Sequence, residues 1–204
     1  MDTTPLISDP AAWWRRTCHI TGTRLSMSGD LPRGTAARAA HLDRWVDDGV
    51  SHIIDVRIEH SDQRDVALLR PEITYHWLGV DDDGAQQPDE WFESGVDAAL
   101  EAFGDPTAGV LVHCHMGVNR GPSMAYAILL ATGWHHIGAL EAIRSARPIA
   151  AALYADQALA WWHRRQGVPT TIAAQRQREL AEWCDANPVD ASWVISRIYR
   201  ADVA

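Results

Sequence analysis

The run Gly109-Val110-Leu111-Val112-His113-Cys114 offers apolar side chains to both faces of a strand before it ends in His and Cys. A strand covered on both sides belongs at the centre of a parallel sheet, since antiparallel hairpins usually leave one face to water. Further short β-branched or apolar runs at 23–28, 51–57 and 73–80 alternate with longer stretches of helical spacing at 35–48, 88–103, 122–131, 137–146 and 153–165. Most of these are bounded by Gly or Pro. The alternation predicts an α/β fold with a mostly parallel central sheet of about four to five strands flanked by helices. With 204 residues the chain suits one domain and an extension. We divide it into a domain over 1–167 and a helical C-terminal extension over 168–204. The extension has helical patterns at 171–185 and 190–199, broken at Asn187-Pro188, and Val194, Ile195, Ile198 and Tyr199 form an apolar side on the second.

Ligands of parallel α/β sheets gather beyond the C-terminal ends of the strands. There the chain reads His113-Cys114-His115-Met116-Gly117-Val118-Asn119-Arg120-Gly121-Pro122-Ser123. The five residues between Cys114 and Arg120 can curl so that successive backbone N–H groups of His115, Met116, Gly117, Val118 and Asn119 point inward, a nest for a tetrahedral dianion. Gly117 supplies the backbone freedom of such a loop. Gly121 suits an N-cap and Pro122 a first helical position, so a helix would aim its unpaired N–H groups at the same anion. Arg120 would hold two phosphate oxygens through its planar fork. Helix N-termini and nearby cations favour the thiolate of a cysteine, which makes Cys114 a candidate nucleophile toward phosphorus. The chemistry needs no cofactor and no metal, because His113, Cys114 and His115 in succession cannot close a tetrahedron round one ion.

Composition narrows the function classes. All 18 basic residues are Arg, which excludes a lysine Schiff base and the lysine of a nucleotide-binding P-loop. The net charge of −9 argues against phosphate-backbone or anionic-membrane partners. Three scattered cysteines, Cys18, Cys114 and Cys184, make no disulfide framework. The start, Met1-Asp2-Thr3-Thr4-Pro5, lacks the basic and apolar regions of a signal peptide. A cytoplasmic protein is expected, with a phosphorylated protein or small phosphomonoester as its partner; the oligomeric state is not legible.

The His-Cys, five residues, Arg signature resembles that of the protein tyrosine phosphatase superfamily, and the surrounding spacing is similar to the dual-specificity branch, over about residues 23–165. The resemblance implies a cysteine phosphatase fold with Cys114 as nucleophile, Arg120 as phosphate ligand and His113 ordering the loop. It also implies an aspartic acid some thirty residues upstream that protonates the leaving oxygen. Of Asp81-Asp82-Asp83, Asp82 has the most similar spacing, 32 residues before Cys114, and Asp81 and Asp83 stay open. The implied activity is hydrolysis of phosphotyrosine, and of phosphoserine or phosphothreonine, through a phosphocysteine. One departure is plain: the branch usually has Ser or Thr after the Arg, to support the thiolate as it leaves, where this chain has Gly121. Ser123 or the Asn119 amide is expected to substitute partly. Two rival readings are a pseudophosphatase that binds phosphate without turnover and a rhodanese-like sulfurtransferase.

Three bland readings stand beside these. Asp55-Val56-Arg57 reads as a structural ion pair as readily as a cleft lining. The ten tryptophans read mostly as core. Cys18 and Cys184 read as buried, unreactive thiols, the sharper alternative being a protective disulfide with Cys114.

Overall fold

The computed structural model describes residues 9–202; the stretch Met1-Asp2-Thr3-Thr4-Pro5 lies outside them. After a short 3-10 turn at Pro10–Trp13, the chain forms β1 (Cys18–His19), β2 (Leu25–Ser28), α1 (Thr35–Asp47), β3 (Val50–Arg57), α2 (Gln63–Leu69) and β4 (Thr74–Val80). It continues with α3 (Asp89–Phe103), β5 (Gly109–His113), α4 (Arg120–Ala131), α5 (His136–Ala146), α6 (Ala155–Arg165), α7 (Thr170–Ala186) and α8 (Ala191–Asp202). The five strands lie in the order β1-β2-β5-β3-β4. All pairs are parallel except β1 with β2. The apolar run read first therefore sits in the middle, with Val110, Leu111 and Val112 almost wholly buried.

Alternation along the strands splits the core in two. Ile53 and Leu111 face Leu42 and Trp45 of α1 and Val66 of α2. Ile54, Val110 and Val112 face Phe92 and Val96 of α3, Met124 and Ile128 of α4, and further residues out to Leu180 of α7. Helix α4 is buried on every side from Arg120 to Leu130, so the helix behind the phosphate-type loop is anchored by the whole layer. A third cluster joins Trp14, Val118, Ile149, Val194 and Ile198, with Met116 against it. Helix α8 thus backs the loop itself through Val194 and Ile198, while Ile195 and Tyr199, which the sequence placed on the same apolar side, are exposed. Ile198→Ala is expected to lower stability by about 2–3 kcal/mol through the cavity it leaves, a shift that urea unfolding would measure.

The structure differs from the sequence reading at several ends. β1 and α2 went unread, because two residues carry no period and seven barely complete two helical turns. The helix after the loop begins at Arg120 with Asn119 at its cap position, not at Pro122 with Gly121 as cap. Pro122 still fits, because first-turn N–H groups lack helical partners and its missing donor costs nothing there. Among the described residues no helix is long and apolar enough to cross a membrane.

Candidate active site

The loop from Cys114 to Arg120 is held by its carbonyl oxygens. His115 O accepts from Trp14 Nε1 at 3.0 Å and from Asp30 N at 2.8 Å. Met116 O and Gly117 O accept from Arg147 Nη2 and Nε at 3.0 and 2.6 Å. Val118 O accepts from Ala151 N at 2.7 Å and Ala152 N at 3.2 Å; Ala152 adopts φ 50° to make this possible. With the carbonyls taken from behind, the N–H groups of 115–119 find no partner among the described residues. Free backbone donors of this kind are what the expected anion nest would require. Gly117, at φ +64°, is obligatory twice over, since a Cβ there would also run into the Arg147 guanidinium.

Arg147 was not singled out by sequence. It is wholly buried and has no carboxylate partner among the described residues, and its remaining donors go to Arg16 O at 3.1 Å, Cys18 Sγ at 3.4 Å and Trp14 O at 2.9 Å. No short-range pattern marks a guanidinium that ties four distant carbonyls together.

Cys114 is 2% exposed. Arg120, also buried, bonds Glu59 through both terminal nitrogens at 2.8 and 2.6 Å and Val80 O at 2.8 Å. Its Nε lies 3.3 Å from Asp82 Oδ2. Burial works against the Arg120 charge, but the Glu59 bonds and the neighbouring acids outweigh it and raise its affinity for the proton. Glu59, half exposed, is in turn held below its ordinary value: burial raises it, and the Arg120 bonds win. Glu59 went unread, although its place just beyond the end of β3, beside β5, was the available signal.

Of the three neighbouring acids, the structure brings only Asp82 onto the loop. Its Oδ1 accepts from Asn119 Nδ2 at 2.5 Å and from the Tyr154 hydroxyl at 3.1 Å. Asp83 accepts from Ala85 N in a local turn, and Asp81 is exposed. Ser123 Oγ donates to Asn119 Oδ1 at 3.3 Å and accepts from Tyr154 N at 3.2 Å; it makes no hydrogen bond to Cys114. The expected substitution by Ser123 for the missing hydroxyl thus has no contact behind it. Gly121 faces the sulfur instead: a Cβ there would stand 3.5 Å from Cys114 Sγ and 3.3 Å from Cys114 N.

Behind the loop, His113 is buried against Trp45 with Asp55 Oδ1 3.8 Å from its Nε2. Burial pushes its imidazole below the ordinary histidine value against the pull of Asp55. Asp55 and Arg57 form the ion pair that was one of the two sequence readings, Arg57 Nε and Nη2 meeting the two carboxylate oxygens at 2.9 and 2.8 Å. Arg57 also bonds Asp62 at 2.6 Å and Asp30, and Asp30 reaches His115 Nδ1 at 3.1 Å.

Cys18 pairs with Met27, which pairs with Val112. Two strand spacings of about 4.8 Å put Cys18 roughly 10 Å across the sheet from β5, beyond the ~7 Å Cα separation a disulfide spans. Cys184, on α7, has its thiol pushed up by burial against the pull of Arg144. Among the described residues no group of three or more potential ligands could hold a metal ion.

No family model matches the sequence. Human dual specificity protein phosphatase 26 is 28% identical over 101 residues, which is 48% of this chain and 46% of that protein; the chain spans less than half the length of the relatives it matches. The crystal structure of human DUSP28 superposes with a TM-score of 0.59 at 20% identity, covering 74% of this chain and 95% of that one. The Yvh1 phosphatase domain from Chaetomium thermophilum gives 0.57 at 24% identity, covering 76% and 98%. The chain thus resembles a dual-specificity phosphatase in sequence over about half its length and shares the fold of phosphatase structures of this kind.

Proposed function

We propose that this chain hydrolyses phosphomonoesters without a metal, by way of a phosphocysteine, acting on phosphotyrosine and also phosphoserine or phosphothreonine in proteins. The observation that supports this reading is the loop between Cys114 and Arg120, whose carbonyls at 115–118 are tied back while the N–H groups of 115–119 have no partner among the described residues. Phosphate would sit on those donors and take the Arg120 fork from Glu59. The Cys114 sulfur attacks phosphorus as the ester P–O bond breaks, and Asp82 passes its proton to the departing oxygen. Water then attacks phosphorus, giving its proton back to Asp82, and the sulfur leaves. The donors are fixed in advance, so they stabilise the developing charge without reorganising. The acidic chain and the lack of cations other than Arg120 in the loop favour a singly phosphorylated site over a polyphosphorylated lipid headgroup.

The test is hydrolysis of 4-nitrophenyl phosphate and of a phosphotyrosine peptide in EDTA, with rapid acid quenching and mass spectrometry of the tryptic peptide holding Cys114. EDTA-resistant turnover with phosphate on Cys114 is the expected result; turnover that EDTA abolishes overturns the reading. Gly121 favours a second one, a pseudophosphatase, which would show vanadate binding and no turnover in the same assay.

If the first reading holds, Gly121 makes breakdown of the phosphocysteine slow. Gly121→Ser is expected to raise the steady-state rate about tenfold, since a hydroxyl bonded to a charged leaving group is worth roughly 1.5–3 kcal/mol. The pre-steady-state burst should shrink in step, and stopped-flow release of nitrophenol would show both.

A further inference from the structure

The two oxygens of the Asp82 carboxyl are treated differently. Oδ1 faces two donors, the Asn119 amide and the Tyr154 hydroxyl, whereas Oδ2 lies 3.3 Å from Arg120 Nε on the side of the phosphate nest. The direction of both donors is set by their other bonds. Asn119 Oδ1 accepts from Leu153 N at 2.6 Å, which leaves its NH₂ for Asp82. The Tyr154 oxygen accepts from Gly84 N at 3.1 Å, which leaves its own proton for Asp82. Tyr154 is 1% exposed, immediately precedes α6, and is anchored to the helix behind the nest by its N–H bond to Ser123 Oγ.

We propose that Tyr154, acting with Asn119, is a positioning residue that fixes the acid loop over the nest and keeps the Asp82 proton on Oδ2, the oxygen turned toward the leaving group. The inference rests on the phosphatase reading. Oδ1 already receives two hydrogen bonds, whereas Arg120 Nε, 3.3 Å from Oδ2, makes none to it, so Oδ2 is the oxygen left to carry the proton once a bound phosphate dianion offsets the Arg120 charge. In the first step the P–O bond pair goes to the ester oxygen and the Oδ2 proton follows it, while the carboxylate charge that forms is met on Oδ1 by the two donors. Tyr154 keeps its own proton throughout, its phenol being pushed up by burial with the Asp82 charge adding to it.

The experiment compares wild type, Tyr154→Phe, Asp82→Asn and the double variant on aryl phosphates from 4-nitrophenyl to phenyl. Phenol needs the proton and nitrophenol scarcely does. Tyr154→Phe is therefore expected to lose about tenfold in kcat/KM on phenyl phosphate and less on 4-nitrophenyl phosphate, steepening the dependence on leaving-group pKa toward that of Asp82→Asn. Added to Asp82→Asn, it should cost nothing further, because both act on one proton. Vanadate inhibition should stay within about twofold, showing the nest intact. Equal loss across the series, losses that add, or loss of vanadate binding overturns the positioning role while leaving the phosphatase reading in place. A wild type that turns over none of the esters overturns both.

Discussion

Cys114→Ser is expected to lower kcat/KM on every phosphomonoester by at least about 10⁴-fold, roughly 5.5 kcal/mol of transition-state stabilisation. The change is small in space: the side chain is 2% exposed under the loop, and oxygen for sulfur removes volume without adding a clash. The bonds that hold the loop do not run through the sulfur: the carbonyls of 115–118 are bonded to Trp14, Asp30, Arg147, Ala151 and Ala152. Phosphopeptide binding should therefore persist. What is lost is the nucleophile, because an alcohol without a base to activate it is a far weaker one than a cysteine sulfur. Fluorescence anisotropy with a labelled phosphopeptide, beside the rate assay, separates the two. Residual turnover above a hundredth of wild type would move the nucleophile away from Cys114.

Arg57→Met is expected to destabilise the fold by about 3–5 kcal/mol, the cost of leaving buried carboxylates without their cation. Arg57 is 1% exposed and meets Asp55, Asp62 and Asp30. Burial raises the Asp55 carboxyl, and the His113 ring and the Arg57 guanidinium more than reverse it, so Asp55 ends below the ordinary carboxylate value. Asp30 follows the same balance, with the His115 bond and Arg57 outweighing burial. Carboxyls that are more acidic folded than unfolded contribute stability that is complete above about pH 4 and is lost as pH falls through their folded values. Urea unfolding of wild type should thus weaken steeply below about pH 4. In Arg57→Met that slope should flatten as the midpoint drops. An unchanged midpoint would mean that the network contributes nothing net.

How far such features can be read in advance depends on the distance over which they are built. β3, β5 and the long helices carry their own period, and the loop carries its chemistry in eleven consecutive residues, so both are legible without coordinates. Asp82 could be placed only to within one residue, because three aspartates in a row have no local distinction; the bonds from Asn119 and Tyr154 that single it out come from 37 and 72 residues away. Glu59, Arg147 and Tyr154 show the same limit. Each is an ordinary residue in its own segment, and only the closing of the sheet brings it to the loop.

The wall behind the loop is assembled from residues far apart in sequence. Trp14, Val118 and Ile198 share one cluster, so the loop that follows β5 is braced by side chains from distant segments on either side of it. Contacts of such sequence separation form late in folding. During synthesis the sheet and α4 can take shape while the nest still lacks its brace, and a ribosome-bound chain that has not yet released Ile198 would carry Cys114 in an unfinished socket.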